Sequence, residues 1–177
     1  MKLLRLLLIS LVFVIAAIAT GCTYSNDSSP KANNSTIEGS WIALSQTTIK
    51  TVKIEKLGEQ YLVTAKSYDL WHEPLFNNET APVDVTFRGS TTYNQRQASL
   101  KNNQLDIPQL KTFYVLENGT LKGKITKNAS VLAFERLNDD SKAKIIEKAK
   151  ELHVNILKKQ DKDTNRLKFK LDATQIQ

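Results

Sequence analysis

The sequence predicts a mainly β domain, an antiparallel meander or small barrel with a C-terminal α-helix. Between residues 38 and 137, apolar and polar residues alternate with a period of two, which is typical of strands with one buried face. Turn residues interrupt that alternation at short intervals, and beyond residue 137 the apolar spacing becomes helical. Removing 21 of the 177 residues as a leader leaves 156, enough for one compact domain.

The first 21 residues have the pattern of a secretory signal peptide. Lys2 and Arg5 give a basic start, and residues 6–20 then run without a charge. Such a run suits the apolar segment of a signal peptide better than a membrane-spanning helix, which needs about 20 apolar residues.

Residues 19–22, Ala-Thr-Gly-Cys, end that run and resemble the lipobox of bacterial lipoproteins. The resemblance implies that Cys22 becomes the mature N-terminus and carries acyl chains such as palmitate, so that lipid anchors the protein to a membrane. Thr23 in place of Asp resembles the pattern sorted to the outer membrane in cells that have one; otherwise the outer face of the cell membrane is expected. The alternative is a simple membrane anchor in which Cys22 is incidental.

Residues 22–37 predict a flexible, lipid-anchored linker. The segment is rich in Ser, Asn and Thr and cannot bury enough apolar surface to fix its shape. A coil of about 15 residues spans roughly 20 Å, which would lift a domain off the lipid surface.

The β region, residues 38–137, predicts eight or nine short strands. Residues 83–88 and 120–125 alternate clearly, and Asn118-Gly119 is a strong hairpin signal. Gly89-Ser90 is a weaker turn signal. Regular spacing of this kind favours a barrel or a sandwich.

Residues 138–177 predict a helix and a short strand packed on the same domain. Asn138 to Ser141 offer N-cap residues, and Ile145, Ala149, Leu152 and Ile156 form one apolar stripe. Residues 167–171 alternate again, which is compatible with a strand on a barrel edge or with a mobile tail.

The Gly39-Ser40-Trp41 sequence, followed by a meander, a helix and a short strand, resembles the order of elements in lipocalins. The resemblance implies structural roles for Gly39, Trp41 and Arg136. In lipocalins the tryptophan lies under the barrel floor and a basic residue lies across its ring, so Trp41 and Arg136 are expected to do the same. A smaller barrel filled by its own side chains, or a sandwich, stays open beside it.

Catalysis is not predicted. His72 lies between Asp69 and Glu73 and could act as a general base, but no nucleophile motif accompanies it, and a solvated strand end explains the cluster better. The chain has one cysteine and two histidines that are distant in sequence, so no metal site is predicted. No cofactor motif occurs in the sequence either.

The charge indicates no nucleic-acid partner. The net charge is +7 for the whole chain and +5 once Lys2 and Arg5 are removed, and the basic residues are spread along the chain.

We therefore expect non-catalytic binding of an apolar or amphipathic ligand, or of an envelope partner, at the open end of a barrel. The candidate ligand-binding residues are aromatic: Tyr61, Tyr68, Trp71, Phe76 and Tyr93. The alternative is an envelope or surface protein-interaction module without a ligand pocket, such as an assembly factor or an enzyme inhibitor.

Overall fold

The structure is a computed structural model that describes residues 36–177. The predicted signal peptide, the lipidation site at Cys22 and nearly all of the linker lie outside the described residues. In the part of the chain that the structure describes, no helix is both long enough and apolar enough to cross a membrane.

The described chain holds nine strands and one long helix, joined by turns and three short 3-10 helices. In order, the elements are β1 (Gly39–Ser45), β2 (Thr48–Leu57), β3 (Gln60–Trp71), β4 (Val83–Lys101), β5 (Gln104–Ile107), β6 (Thr112–Glu117), β7 (Thr120–Gly123), β8 (Leu132–Arg136), α1 (Asp139–Lys159) and β9 (Leu167–Phe169).

The first eight strands form a closed antiparallel barrel. Each strand pairs with the next in sequence, and β8 returns to β1, where Arg136 is opposite Trp41 and Glu135 opposite Ile42. Strands make up 49% of the described residues. The predicted fold class, a small lipocalin-like barrel with a C-terminal helix, is therefore confirmed.

β4 is a single strand of 19 residues, so the turn predicted at Gly89-Ser90 is wrong. Both residues pair with β3 in the middle of the strand, Gly89 opposite Tyr68. A Cβ on Gly89 would lie 3.3 Å from the Tyr68 ring. This glycine therefore gives room to an aromatic neighbour and does not reverse the chain.

Two separate apolar cores lie on the two faces of the sheet. The inner core fills the barrel with sixteen buried residues: Ile37, Trp41, Ala43, Val52, Ile54, Tyr61, Val63, Ala65, Tyr93, Ala98, Leu105, Ile107, Tyr114, Leu121, Ile125 and Phe134. The outer core lies between the barrel wall and the C-terminal segment, and it includes Ile42, Ile49, Tyr68, Val85, Phe87, Ile146 and Ile176. The barrel is therefore packed by its own side chains.

The C-terminal segment covers the outer wall. Asn138 caps α1: its side chain accepts from the Ser141 backbone N–H, while the Ser141 side chain accepts from the Asn138 backbone N–H. β9 then pairs in parallel with the start of β4, with Leu167 opposite Val83. The residues after Asn165 thus add a strand to the sheet.

Candidate binding site at the open end of the barrel

One end of the barrel is closed by an aromatic ring and a cation. Trp41 is fully buried, and its indole N–H donates to the Ile37 carbonyl over 3.0 Å. The Arg136 guanidinium carbon lies 3.9 Å from the centre of the Trp41 ring, and the guanidinium donates to the carbonyls of Glu38 and Thr36. Partial burial lowers the pKa of Arg136, as expected for a desolvated cation.

Gly39 is required at this end by two independent constraints. Its φ of +115° lies in a region that other residues rarely adopt, and a Cβ there would collide with Arg136. The arginine therefore occupies the space that the missing side chain leaves.

The opposite end presents polar side chains on the inner face of β2, β3 and β4. Val52 and Ile54 belong to the inner core, so Lys50, at the same parity on β2, also faces inward. Val85 and Phe87 on β4 belong to the outer core, so the alternating residues Thr86, Arg88 and Ser90 face inward. We call this set the open-end face: Thr48, Lys50, Ser67, Asp69, Trp71, Thr86, Arg88 and Ser90.

Hydrogen bonds connect these side chains across the strands. The Lys50 ammonium donates to the Ser67 hydroxyl at 2.8 Å, and that hydroxyl lies 3.1 Å from the hydroxyl of Thr92. Thr48 donates to a carboxylate oxygen of Asp69 at 2.5 Å. The face is thus an organised polar surface.

Water reaches this face although it points into the barrel. Asp69, Arg88 and Ser90 are exposed, whereas Lys50 and Trp71 are half-buried. The Arg88 guanidinium carbon lies 4.4 Å from the centre of the Trp71 ring. The open-end face therefore offers one aromatic surface and two cations to a ligand arriving from solvent.

The loop between β3 and β4 borders this face and is held by a buried arginine. Arg166 is 6% exposed, and its side chain donates to the carbonyls of Ala81 and Phe76, each at 2.8 Å. It also pairs with the Glu79 carboxylate at 3.2 Å. Because three points of the loop are bound to one side chain, the loop has a defined shape.

The structure does not bring the five predicted ligand-binding aromatics together. Tyr61 and Tyr93 are in the inner core, and Tyr68 is in the outer core. Trp71 is the one that belongs to the open-end face, and Phe76 is 55% exposed on the adjacent loop.

Lys50, Ser67 and Arg88 of the open-end face are not among the candidate residues predicted from the sequence. Lys50 could have been found, because it interrupts the apolar parity of β2 that Val52 and Ile54 establish.

Tyr93 and Tyr114 form a polar pair within the inner core. Their hydroxyls lie 2.7 Å apart. Burial raises the pKa of Tyr93 to about 12 and that of Tyr114 well above its usual value, and in both cases burial is the largest cause. One hydroxyl donates to the other, and burial favours the neutral form of both phenols inside the barrel.

The two histidines, distant in sequence, meet where α1 packs against the end of β3. The ring centres of His72 and His153 lie 5.1 Å apart with the rings nearly perpendicular, and the centre of the Phe169 ring lies 6.5 Å from that of His153. Burial, and secondarily the charge of His72, lowers the pKa of His153. His72 contacts a second imidazole here, and its own Nδ1 lies 2.6 Å from the Glu73 carbonyl oxygen.

Two grooves lie on the outside of the barrel wall. A groove of about 480 Å³ follows the outer face of β2 and β3 and is lined by side chains that include Lys53, Glu55, Lys66 and Lys142. A second, of about 300 Å³, lies between α1 and β1. Within residues 36–177, no three His, Cys, Asp or Glu residues come close enough to hold a metal ion.

Comparison with known proteins finds no matching family model, no matching curated protein and no matching solved structure.

Proposed function

We propose that this chain is a lipid-anchored bacterial envelope protein that binds an amphipathic ligand, without catalysis, at the open end of its barrel. The observation that carries the proposal is the open-end face itself, which is polar, cationic, aromatic at Trp71 and accessible to water. Because side chains fill the inner core, the ligand would lie at the open end of the barrel and not inside it. A binding position in contact with water favours an amphipathic ligand over a wholly apolar one.

The anchor is proposed from the lipobox-like residues alone. Cys22 would carry diacylglycerol and an N-acyl chain, which together bind a bilayer far longer than one chain does. The protein would then be at the outer membrane of a cell that has one, and otherwise at the outer face of the cell membrane. Labelled palmitate should enter the wild-type chain and not Cys22→Ala; labelling of both would contradict the anchor.

Native mass spectrometry of the full chain, released from membranes in an uncharged detergent, tests ligand binding. We expect an added mass that collision removes and that Trp71→Ala reduces, since the ring forms the apolar part of the face. Phe113→Ala is the matched control, because this half-buried aromatic lies on β6, outside the open-end face.

A second candidate function is a protein-interaction module without a ligand pocket. The filled inner core favours it, because a barrel packed by its own side chains has no internal ligand volume. A bare protein mass together with reproducible crosslinks from the 72–82 loop to one envelope protein would favour this candidate.

A further inference from the structure

The open-end face carries two cations, Lys50 and Arg88, that form no ion pair among the described residues. Six ion pairs occur among the described residues, and neither Lys50 nor Arg88 takes part in one. Among the residues of the face as defined, Asp69 is the one carboxylate, and it accepts from Thr48. Asp84, which has the same parity at the start of β4, pairs instead with Lys170 at 2.7 Å. The face therefore has a net charge of +1 from two cations and one anion.

Lys50 is held in a position suited to an anion. It is half-buried, and its ammonium uses one donor on the Ser67 hydroxyl, out of the three that an ammonium has. Ser67 in turn contacts Thr92, so two hydroxyls lie beside the cation. A cation with reduced hydration and neighbouring hydroxyls is the environment that binds a carboxylate or a phosphate.

Arg88 is the second cation of the open-end face, and it is exposed to solvent. Its contact with the Trp71 ring engages the face of the guanidinium and does not consume the N–H donors on its edge. These donors can form paired hydrogen bonds with a carboxylate or phosphate group, while the Trp71 ring remains available to apolar atoms.

We propose that the open-end face recognises an acidic head group, a carboxylate or a phosphate, through Lys50 with Arg88 assisting. The inference rests on the proposed function, since it names the chemistry of the ligand held at the same face. The apolar part of the ligand lies against Trp71 and the rim.

Equilibrium dialysis of the full chain in an uncharged detergent tests this inference, with a chamber of detergent alone as the blank. The probes are octanoate, its uncharged counterpart octanol, and the free anions acetate and inorganic phosphate. The variants are Lys50→Gln and Arg88→Gln. Lys56→Gln is the control, because Lys56 is on the same strand at the other end of the barrel.

We expect octanoate to bind more tightly than octanol, and Lys50→Gln to weaken octanoate binding about tenfold or more, the usual effect of losing a charge-assisted hydrogen bond. Arg88→Gln should weaken it less, and Lys56→Gln should leave it within about twofold of wild type. Thermal melting by circular dichroism confirms that Lys50→Gln is folded, and the exposed Arg88 gives a second variant if it is not.

The outcomes distinguish a failure of this inference from a failure of the proposed function. Equal binding of octanoate and octanol, unchanged by Lys50→Gln, overturns the acidic head group and leaves ligand binding at the open end intact. Binding of acetate or phosphate as tight as that of octanoate supports the acidic group but contradicts an amphipathic ligand. Binding of none of the four probes overturns the inference, while the mass-spectrometric test still decides the proposed function.

Discussion

Each end of the barrel has a tryptophan with an arginine over its ring, yet the two pairs have opposite surroundings. At the closed end, Arg136 lies 3.9 Å from the Trp41 ring centre and also binds two backbone carbonyls. At the open end, Arg88 lies 4.4 Å from the Trp71 ring centre, is exposed and makes no ion pair with the described residues. The same contact therefore stabilises the fold at one end and remains available to a ligand at the other.

The largest expected difference is between the two tryptophans. Trp41→Ala should lower the free energy of unfolding by about 3–5 kcal/mol, because it leaves a cavity in the inner core. Trp71→Ala should cost about 1 kcal/mol or less, because that ring is half-buried. Urea unfolding followed by circular dichroism measures both, and equal losses would show that the two ends do not differ as described.

The two arginines should differ in the same direction, by a smaller amount. Arg136→Met removes hydrogen bonds to two carbonyls and should cost about 1–3 kcal/mol. Arg88→Met should change the free energy of unfolding by less than about 0.5 kcal/mol, as for most exposed positions. The urea midpoints test this, and a larger loss for Arg88→Met would make the open-end pair structural.

Alkali should affect the inside of the barrel. The pKa of Tyr93 is raised to about 12 and that of Tyr114 is also raised, so the folded state favours the neutral phenols. Their contribution to stability is complete below the unfolded pKa of about 10 and is lost as the pH rises towards 12. Urea midpoints over that range should fall less for a variant with Phe at both positions. A fall of the same size in the variant would assign the loss to other groups.

Acid should affect the junction between α1 and β3, with the smallest effect of the four. The pKa of His153 is lowered from 6.5, so the folded state favours the neutral imidazole. Its contribution to stability is present above about pH 6.5 and decreases as the pH falls below it.

The melting temperature of His153→Gln should therefore depend less on pH than that of wild type between about pH 7 and 5. His72→Gln serves as a partial control, since it removes only the secondary, electrostatic cause. An unchanged pH dependence in His153→Gln would show that other groups control acid sensitivity.

Local patterns in the sequence were sufficient for most of the fold. Asn118-Gly119 forms the hairpin between β6 and β7, and Asn138 caps α1, because both depend on neighbouring backbone groups. The continuity of β4 through Gly89 was not predictable in this way, since it depends on a ring from the adjacent strand. The parallel pairing of β9 with β4 joins segments far apart in sequence, which periodicity does not describe.

The candidate site was less predictable than the fold. Aromatic residues are expected at a ligand site because of their apolar surface, but the same property places Tyr61, Tyr68 and Tyr93 in the two cores. The open-end face depends on which polar residues share the inward parity of three different strands. That information requires the register between β2, β3 and β4, including the irregularity near Ala65.

The buried Arg166 affects the order in which the molecule forms. It contacts the β3–β4 loop at residues 85 to 90 positions earlier in the chain. All eight barrel strands are complete at Arg136, about thirty residues before this arginine emerges during synthesis. The residues that pair all eight barrel strands are therefore synthesised before the arginine that fixes the β3–β4 loop, and this loop can take its bonded shape only after Arg166 is available.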